Sequence, residues 1–250
     1  MYHGAPILSS LAALRAGADL VYTAVPKVNA QATRAVSPDL IVIPLADSKL
    51  TRGAVNKLLG QIPPGIDSAT IGMGLAVPDI EALKLLIKSL VKLDVRLSLD
   101  ASALRKEILP IIKGKNVLVT PHVGEFERMF GEKIPDNKKI RISITEKHAK
   151  NNSITILLKG ADDIITNGTI TLINSKKTPA MTVGGTGDVL SGIAASMLSR
   201  NRCVIESAAS AAFLNGQAGK IVQKQFGMHM IATDLIDALP LISKAFDKIK

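Results

Sequence analysis

Hydrophobic positions along the chain follow two rhythms. Largely apolar runs at 18–25 (ADLVYTAV), 39–44 (DLIVIP), 69–73 (ATIGM), 95–99, 116–120 (NVLVT) and 153–159 (SITILLK) predict buried strands. Between them, apolar residues recur at helical spacing. Across 78–93 these are Ile80, Leu83, Leu86, Ile87 and Leu90, with Lys84, Lys88 and Lys92 elsewhere on the helix. Pro78 suits the first turn. Further helices are predicted over 5–16, 102–109 (short), 123–130, 137–151, 186–200 and 204–226. A last one starts near Ala232 and is expected to be interrupted at Pro240.

The rhythm changes after residue 159. Strands at 163–166 and 169–173 flank Asn167-Gly168, which predicts an antiparallel hairpin closed by a type I′ turn. Strand–helix alternation over the rest predicts an α/β fold. It should be a three-layer α/β/α sandwich with a mostly parallel central sheet, extended by the late antiparallel hairpin. No internal repeat or linker interrupts residues 1–250, so one domain is expected.

Composition supports a packed domain. The chain has 250 residues, 47% of them hydrophobic and 21% charged, which is too apolar for a disordered protein. At 26.4 kDa a compact fold should expose roughly 10,600 Å². A single cysteine, Cys203, rules out an internal disulfide and points to a reducing, cytoplasmic setting. No apolar run approaches the ~18 residues of a membrane span, and MYHGAPILSS lacks the basic start of a signal peptide. Trp is absent and Tyr plus Phe total seven, which argues against a nucleic-acid binder built on base stacking.

Charge changes the picture next. The balance is +10, with 31 Lys and Arg against 21 Asp and Glu. It admits nucleic acid, a membrane surface or anionic small molecules. A basic nucleic-acid-binding module rests only on this and on the polar stretch 133–150, which reads first as a solvated charged helix or loop.

Four segments that carry chemistry follow predicted strands or open helices. The richest is MTVGGTGDVLSG at 181–192. Gly184, Gly185 and Gly187 would let backbone approach a ligand, and the N-terminus of the following helix offers unpaired N–H groups to a phosphate. Asp188 would sit at the mouth of that anion hole and is expected to stay ionised, as a general base must. The simpler reading is a turn capped by Thr186 or Asp188. TPHVGE at 120–125 places His122 and Glu125 at a helix start beyond a strand end. It also reads as a cap, with Thr120 as the capping residue and Glu125 supporting the first turn. KGADD at 159–163 puts Lys159 and Gly160 at a strand end, fit for a phosphate or adenine contact or simply for turning the chain. Gly72–Gly74 (GMG) is weaker. Neither a dinucleotide fingerprint nor a Walker loop occurs, and four His and one Cys lack zinc-ligand spacing.

The segments HGAPILSSLAALRAGADLVYTAVP, LDASAL, LVTPHVGEFERMFG, LLKGADDIIT and PAMTVGGTGDVLSGIAA occur in this order across nearly the whole chain. Together they resemble the ADP/ATP-dependent NAD(P)H-hydrate dehydratases of the ribokinase-like superfamily. The resemblance implies a ribokinase-like fold. It implies phosphorylation of the hydroxyl of a (6S)-NAD(P)H hydrate by ADP or ATP, then phosphate elimination to NAD(P)H. By the same resemblance Asp188 removes the hydroxyl proton, and Gly185, Thr186 and Gly187 form the anion hole. Lys159, Gly160, Ala161, Asp162 and Asp163, with Gly187, would bind the nucleotide. Ala5, Gly74, His122 and Asp188 would contact the hydrate, and Glu125 would help hold Mg²⁺ through water. The implied setting is a cytoplasmic homo-oligomer that relies on an epimerase carried by another chain. A kinase of a small hydroxylated metabolite or vitamin precursor, which would leave the phosphate on its product, is the alternative within that superfamily.

The sequence departs from the family in places. GMGLA replaces the commoner GPGLG, and Ser102 stands where Asp is frequent. The family also has a strand and a Gly/Ser turn ahead of the HGAPILSS helix. The sequence starts inside that region, so either its start is late or the sheet is one strand short.

Overall fold

A computed structural model describes residues 3–175, 178–200 and 203–247. Strands β1 (Tyr22–Pro26) and β2 (Ile41–Leu45) form a parallel pair. A second sheet has the order β3 (Ser68–Ile71), β4 (Arg96–Leu99), β5 (Val117–Val119), β6 (Thr155–Leu158), β7 (Asp162–Thr166) and β8 (Thr171–Ser175). Strands β3 to β6 run parallel; β6, β7 and β8 are antiparallel. The expected α/β architecture, with its late hairpin, is therefore present.

Side-chain alternation divides the core in two. Val117, Val119, Ile156, Leu158 and Ile164 point to one face. Leu118, Leu157 and Ile165 point to the other. The first face is covered by α4 (Ile80–Lys92), α5 (Leu109–Ile112), α6 (Val123–Phe130) and α7 (Lys138–Asn152). The second lies under α1 (Ala5–Arg15), α8 (Thr186–Arg200), α9 (Val204–Phe226) and α10 (Ala232–Ser243). Strands buried on both faces read as unbroken apolar runs, which is why β5 and β6 are visible in the sequence. Helices α1 and α8 meet nearly backbone to backbone, since a Cβ on Gly192 would lie 2.0 Å from the Ser9 carbonyl oxygen.

Several expectations need correction. Helices α2 (Lys27–Val36) and α3 (Arg52–Leu59) were not predicted. Helix α2 fully buries only Ala30 and Thr33; α3 packs Val55, Leu58 and Leu59 on the core, but at eight residues it is too short for the helical repeat to stand out. The short helix expected over 102–109 is two 3₁₀ turns, Ala101–Ala103 and Lys106–Ile108, leading into α5. Arg128 ties this stretch down, donating to the carbonyls of Ala101 (2.9 Å) and Leu104 (3.3 Å). Helix α10 continues through Pro240. The hairpin loop is not a two-residue type I′ turn. It spans 167–170, only Gly168 has positive φ (+85°), and Asn167 Oδ1 accepts from the amides of Thr169 and Ile170. Gly168 is required for space as well, because a Cβ there would lie 2.5 Å from the Lys150 backbone nitrogen.

The two sheets are not hydrogen-bonded to each other. Between β1 and β3 lies a cavity of about 690 Å³. It is roofed by Ser9 and Ala13 of α1 and Ser196 of α8, and floored by Leu86 and Leu90 of α4. Thus the two helical layers continue across a break in the middle layer. The buried hydroxyls of Ser9, Thr70 and Ser196 line this cavity without a hydrogen-bond partner. Accessible surface totals 12379 Å², more than the roughly 10,600 Å² of a compact chain this size. No described helix is long and apolar enough to cross a membrane.

Candidate active site

The C-terminal ends of four neighbouring parallel strands each hand over to a loop: β3 to Gly72, β4 to Asp100, β5 to Thr120–His122, and β6 to Lys159. Ligands of open α/β sheets bind at this edge. Gly72 has φ +127°, and a Cβ there would sit 1.8 Å from the Asp100 carbonyl oxygen. It therefore allows the ends of β3 and β4 to converge. Ser102, at the family's Asp position, donates to the Gly72 carbonyl (2.7 Å).

At the centre is Lys159. Its ammonium pairs with Asp100 Oδ1 at 2.7 Å and Glu125 Oε2 at 3.6 Å. Burial alone would pull this ammonium down, but the charges and hydrogen bonds of Asp100 and Glu125 together push it above its usual range. The second Asp100 oxygen accepts from Ser191 Oγ (2.7 Å) on α8.

The glycine loop turns into α8 at Thr186. The first amides of a helix have no intrahelical acceptor, so α8 offers N–H groups and partial positive charge here. Gly185 takes φ +95°, and a Cβ on it would meet Ala232 of α10 and Leu8 of α1 within 3 Å. A Cβ on Gly187 would lie 3.7 Å from Lys159 Nζ. The anion loop and the lysine therefore face each other. Thr186 does not cap the helix with its hydroxyl, which donates to the carbonyls of Met181 and Val183 and pins the loop. Asp188, in the first turn, has its carboxyl pushed up to about 6, by burial first and by the neighbouring Asp100 charge second, with Lys159 opposing. An ionised carboxylate was expected here, and a group titrating at about 6 is ionised to about nine-tenths at pH 7.

His122 is the N-cap of α6, correcting the expectation that Thr120 would cap it. His122 Nδ1 accepts from the amides of Gly124 (3.0 Å) and Glu125 (3.3 Å), while Glu125 Oε2 accepts from the His122 amide (2.9 Å). Thr120 is buried and donates to the Leu99 carbonyl instead. The capping reading and the functional one coexist. With Nδ1 accepting, a neutral ring carries its proton on Nε2, and the side chain is 60% exposed toward solvent. Glu125 joins the cap to Lys159.

The KGADD segment is mixed. Gly160 N donates to the buried Asp163 Oδ1 (3.1 Å), and Asp163 also accepts from Asn174. Asp162 pairs with Lys138 (2.6 Å). The two aspartates therefore brace the turn. Ala5 opens α1 and is buried, close in sequence to the Leu8 that touches the anion loop. Gly74 takes φ +65° in the loop after β3. Among the described residues no group of three or more His, Cys, Asp or Glu is arranged to hold a metal ion.

Comparison with known proteins agrees with this layout. The family described as NAD(P)H-hydrate dehydratase matches residues 1–241. The chain is 62% identical over 249 residues to the ADP-dependent (S)-NAD(P)H-hydrate dehydratase of Nitrosopumilus maritimus, a match covering 100% of this chain and 87% of that one. It is 39% identical to a bifunctional NAD(P)H-hydrate repair enzyme of Pyrobaculum aerophilum, spanning all of this chain and 50% of the relative. Among solved structures, the ADP/ATP-dependent NAD(P)H-hydrate dehydratase of Bacillus subtilis, co-crystallised with ATP/Mg²⁺ and soaked with CoA, matches with TM-score 0.83 and 25% identity. That match covers 98% of this chain and 88% of the other.

The chain belongs to the NAD(P)H-hydrate dehydratase family.

Two residues at the centre of this dehydratase-family site were not singled out from the sequence. Asp100 was available to the same rule that found the others, an acidic residue directly after a predicted strand. Ser191 carries no sequence signal, because a serine inside a helix reads as filler until its partner 91 positions away is known.

Proposed function

We propose that this chain dehydrates a (6S)-NAD(P)H hydrate to NADH or NADPH, using ADP or ATP as phosphoryl donor. The observation that carries the reading is the position of Asp188, on the first turn of α8 beside the glycine loop and Lys159. In this scheme Asp188 takes the proton of the hydrate hydroxyl as that oxygen attacks the terminal phosphorus, and AMP or ADP leaves. The amides of Gly185, Thr186 and Gly187 hold the transferring phosphoryl group. Phosphate then departs with its carbon–oxygen bond, a proton leaves the adjacent carbon, and the ring double bond is restored. Lys159, Gly160, Ala161, Asp162 and Asp163, with Gly187, line the nucleotide, and Ala5, Gly74 and His122 line the hydrate.

Three carboxylates, Asp100, Glu125 and Asp188, surround one ammonium, Lys159. A polyphosphate adds further negative charge, so the donor set fits Mg²⁺. Phosphate oxygens and water would supply most of its ligands, with Glu125 acting through water. Bound there, the ion would supply positive charge to neutralise the phosphates.

Residues 1–250 would act as one catalytic domain. The bifunctional name of the Pyrobaculum relative, half of whose length this chain spans, is compatible with an epimerase as functional partner. Exposed Ile221 and Phe226 on α9 leave apolar surface on which self-association could rest. The lone cysteine is compatible with a cytoplasmic setting.

Incubation with NADH hydrate or NADPH hydrate and either nucleotide should restore reduced-nicotinamide absorbance and release inorganic phosphate. A stable phosphorylated alcohol with no such recovery would instead identify a kinase.

A further inference from the structure

We infer that Asp100 is a positioning residue of this site: it holds Lys159 at the foot of the anion loop and braces α8 through Ser191. Asp100 is 3% exposed. A buried carboxylate survives only with its oxygens satisfied, and here both are. Oδ1 takes Lys159 Nζ (2.7 Å) from the end of β6, and Oδ2 takes Ser191 Oγ (2.7 Å) from α8. Ser191 lies one turn beyond Asp188 on the same helix, so the contact fixes how α8 is rotated beneath the loop. A Cβ at Gly187 would lie 3.7 Å from Lys159 Nζ and 4.0 Å from Asp100 Oδ2. The pair therefore sits directly against the loop.

The chemical consequence concerns where the ammonium is held. While Asp100 holds it, Lys159 Nζ stays against Gly187, where it can meet a phosphoryl group. Without Asp100, Glu125 of α6 is the partner left to Lys159, and the ammonium is free to swing away from the loop.

This rests on the proposed reaction, so the test reads the position of Lys159 as well as turnover. In a crystal structure of Asp100→Asn, Lys159 Nζ should leave its place beside Gly187, and kcat should fall roughly 10- to 100-fold. If Lys159 moves and kcat is unchanged, the proposed reaction fails and the positioning role stands. If Lys159 stays put, the positioning role is overturned. Ser191→Ala keeps every charge and serves if Asp100→Asn does not fold. It should lower kcat several-fold with nucleotide affinity retained; unchanged kcat would overturn the brace.

Discussion

Asp188 is where two local effects compete. A helix N-terminus favours the ionised carboxylate, while burial and Asp100 disfavour it, and the balance lies at about 6. Turnover limited by this base should fall as pH drops through about 6, and a kcat–pH profile reads that limb. The same shift has a stability sign. The folded-state value lies above the model value of 3.8, so the folded state binds the proton more tightly than the unfolded chain. The stability this contributes is present below pH 3.8 and is lost as pH rises through about 6. Asp188→Asn removes the ionised group. It should abolish turnover, leave nucleotide binding largely intact, and raise the melting temperature at pH 7–8 but not near pH 4. Thermal scans at both pH values, with a nucleotide titration, check all three. Full activity in the variant would remove Asp188 from the chemistry.

Helix α6 shows one element serving stability and recognition together. Its capping box uses His122 where Ser or Asp is usual. His122→Ala should lose about 1 kcal/mol of stability and raise KM for the hydrate more than it weakens nucleotide binding. His122→Asn can still cap, so its melting temperature should hold while the KM effect remains. Unchanged KM in both variants would leave His122 a structural cap alone. Elements of this kind were legible in the sequence to the extent that their signals are local. Strands β5 and β6 announced themselves by apolar runs, and α4 by its spacing. Helix α2 buries little, and α3 is only eight residues long, too short for its Val55, Leu58 and Leu59 to show a repeat. In the KGADD segment the turn-closing role of Asp163 depends on its bond to the Gly160 amide, which the sequence does not display. The Lys159–Asp100–Ser191 chain joins residues 59 and 91 positions apart, and no window along the sequence contains it.

Over the whole molecule, the +10 charge proves to be mainly a matter of surface. In the basic stretch around α7, Lys138 pairs with Asp162, Lys147 with Glu132 and Lys133 with Glu127. The central site itself holds more carboxylates than cations. The feature that governs the molecule as a whole is the break in its sheet. Edges of β1 and β3 face each other across the cavity with their outer backbone groups unpaired, and an unpaired edge is a template for another strand. Helix α1 roofs this gap. A strand lying parallel between the two edges would pair with both and give Ser9, Thr70 and Ser196 a polar neighbour. A five-residue peptide of alternating β-branched residues, added in excess, should therefore bind in the gap and raise the melting temperature. Amide exchange in β1 and β3 should slow toward that of β4. A scrambled, proline-bearing peptide of equal length should do neither, since proline cannot complete the ladder. If β1 and β3 already exchange as slowly as β4 without the added peptide, the gap is closed in solution and the strand has no seat to fill.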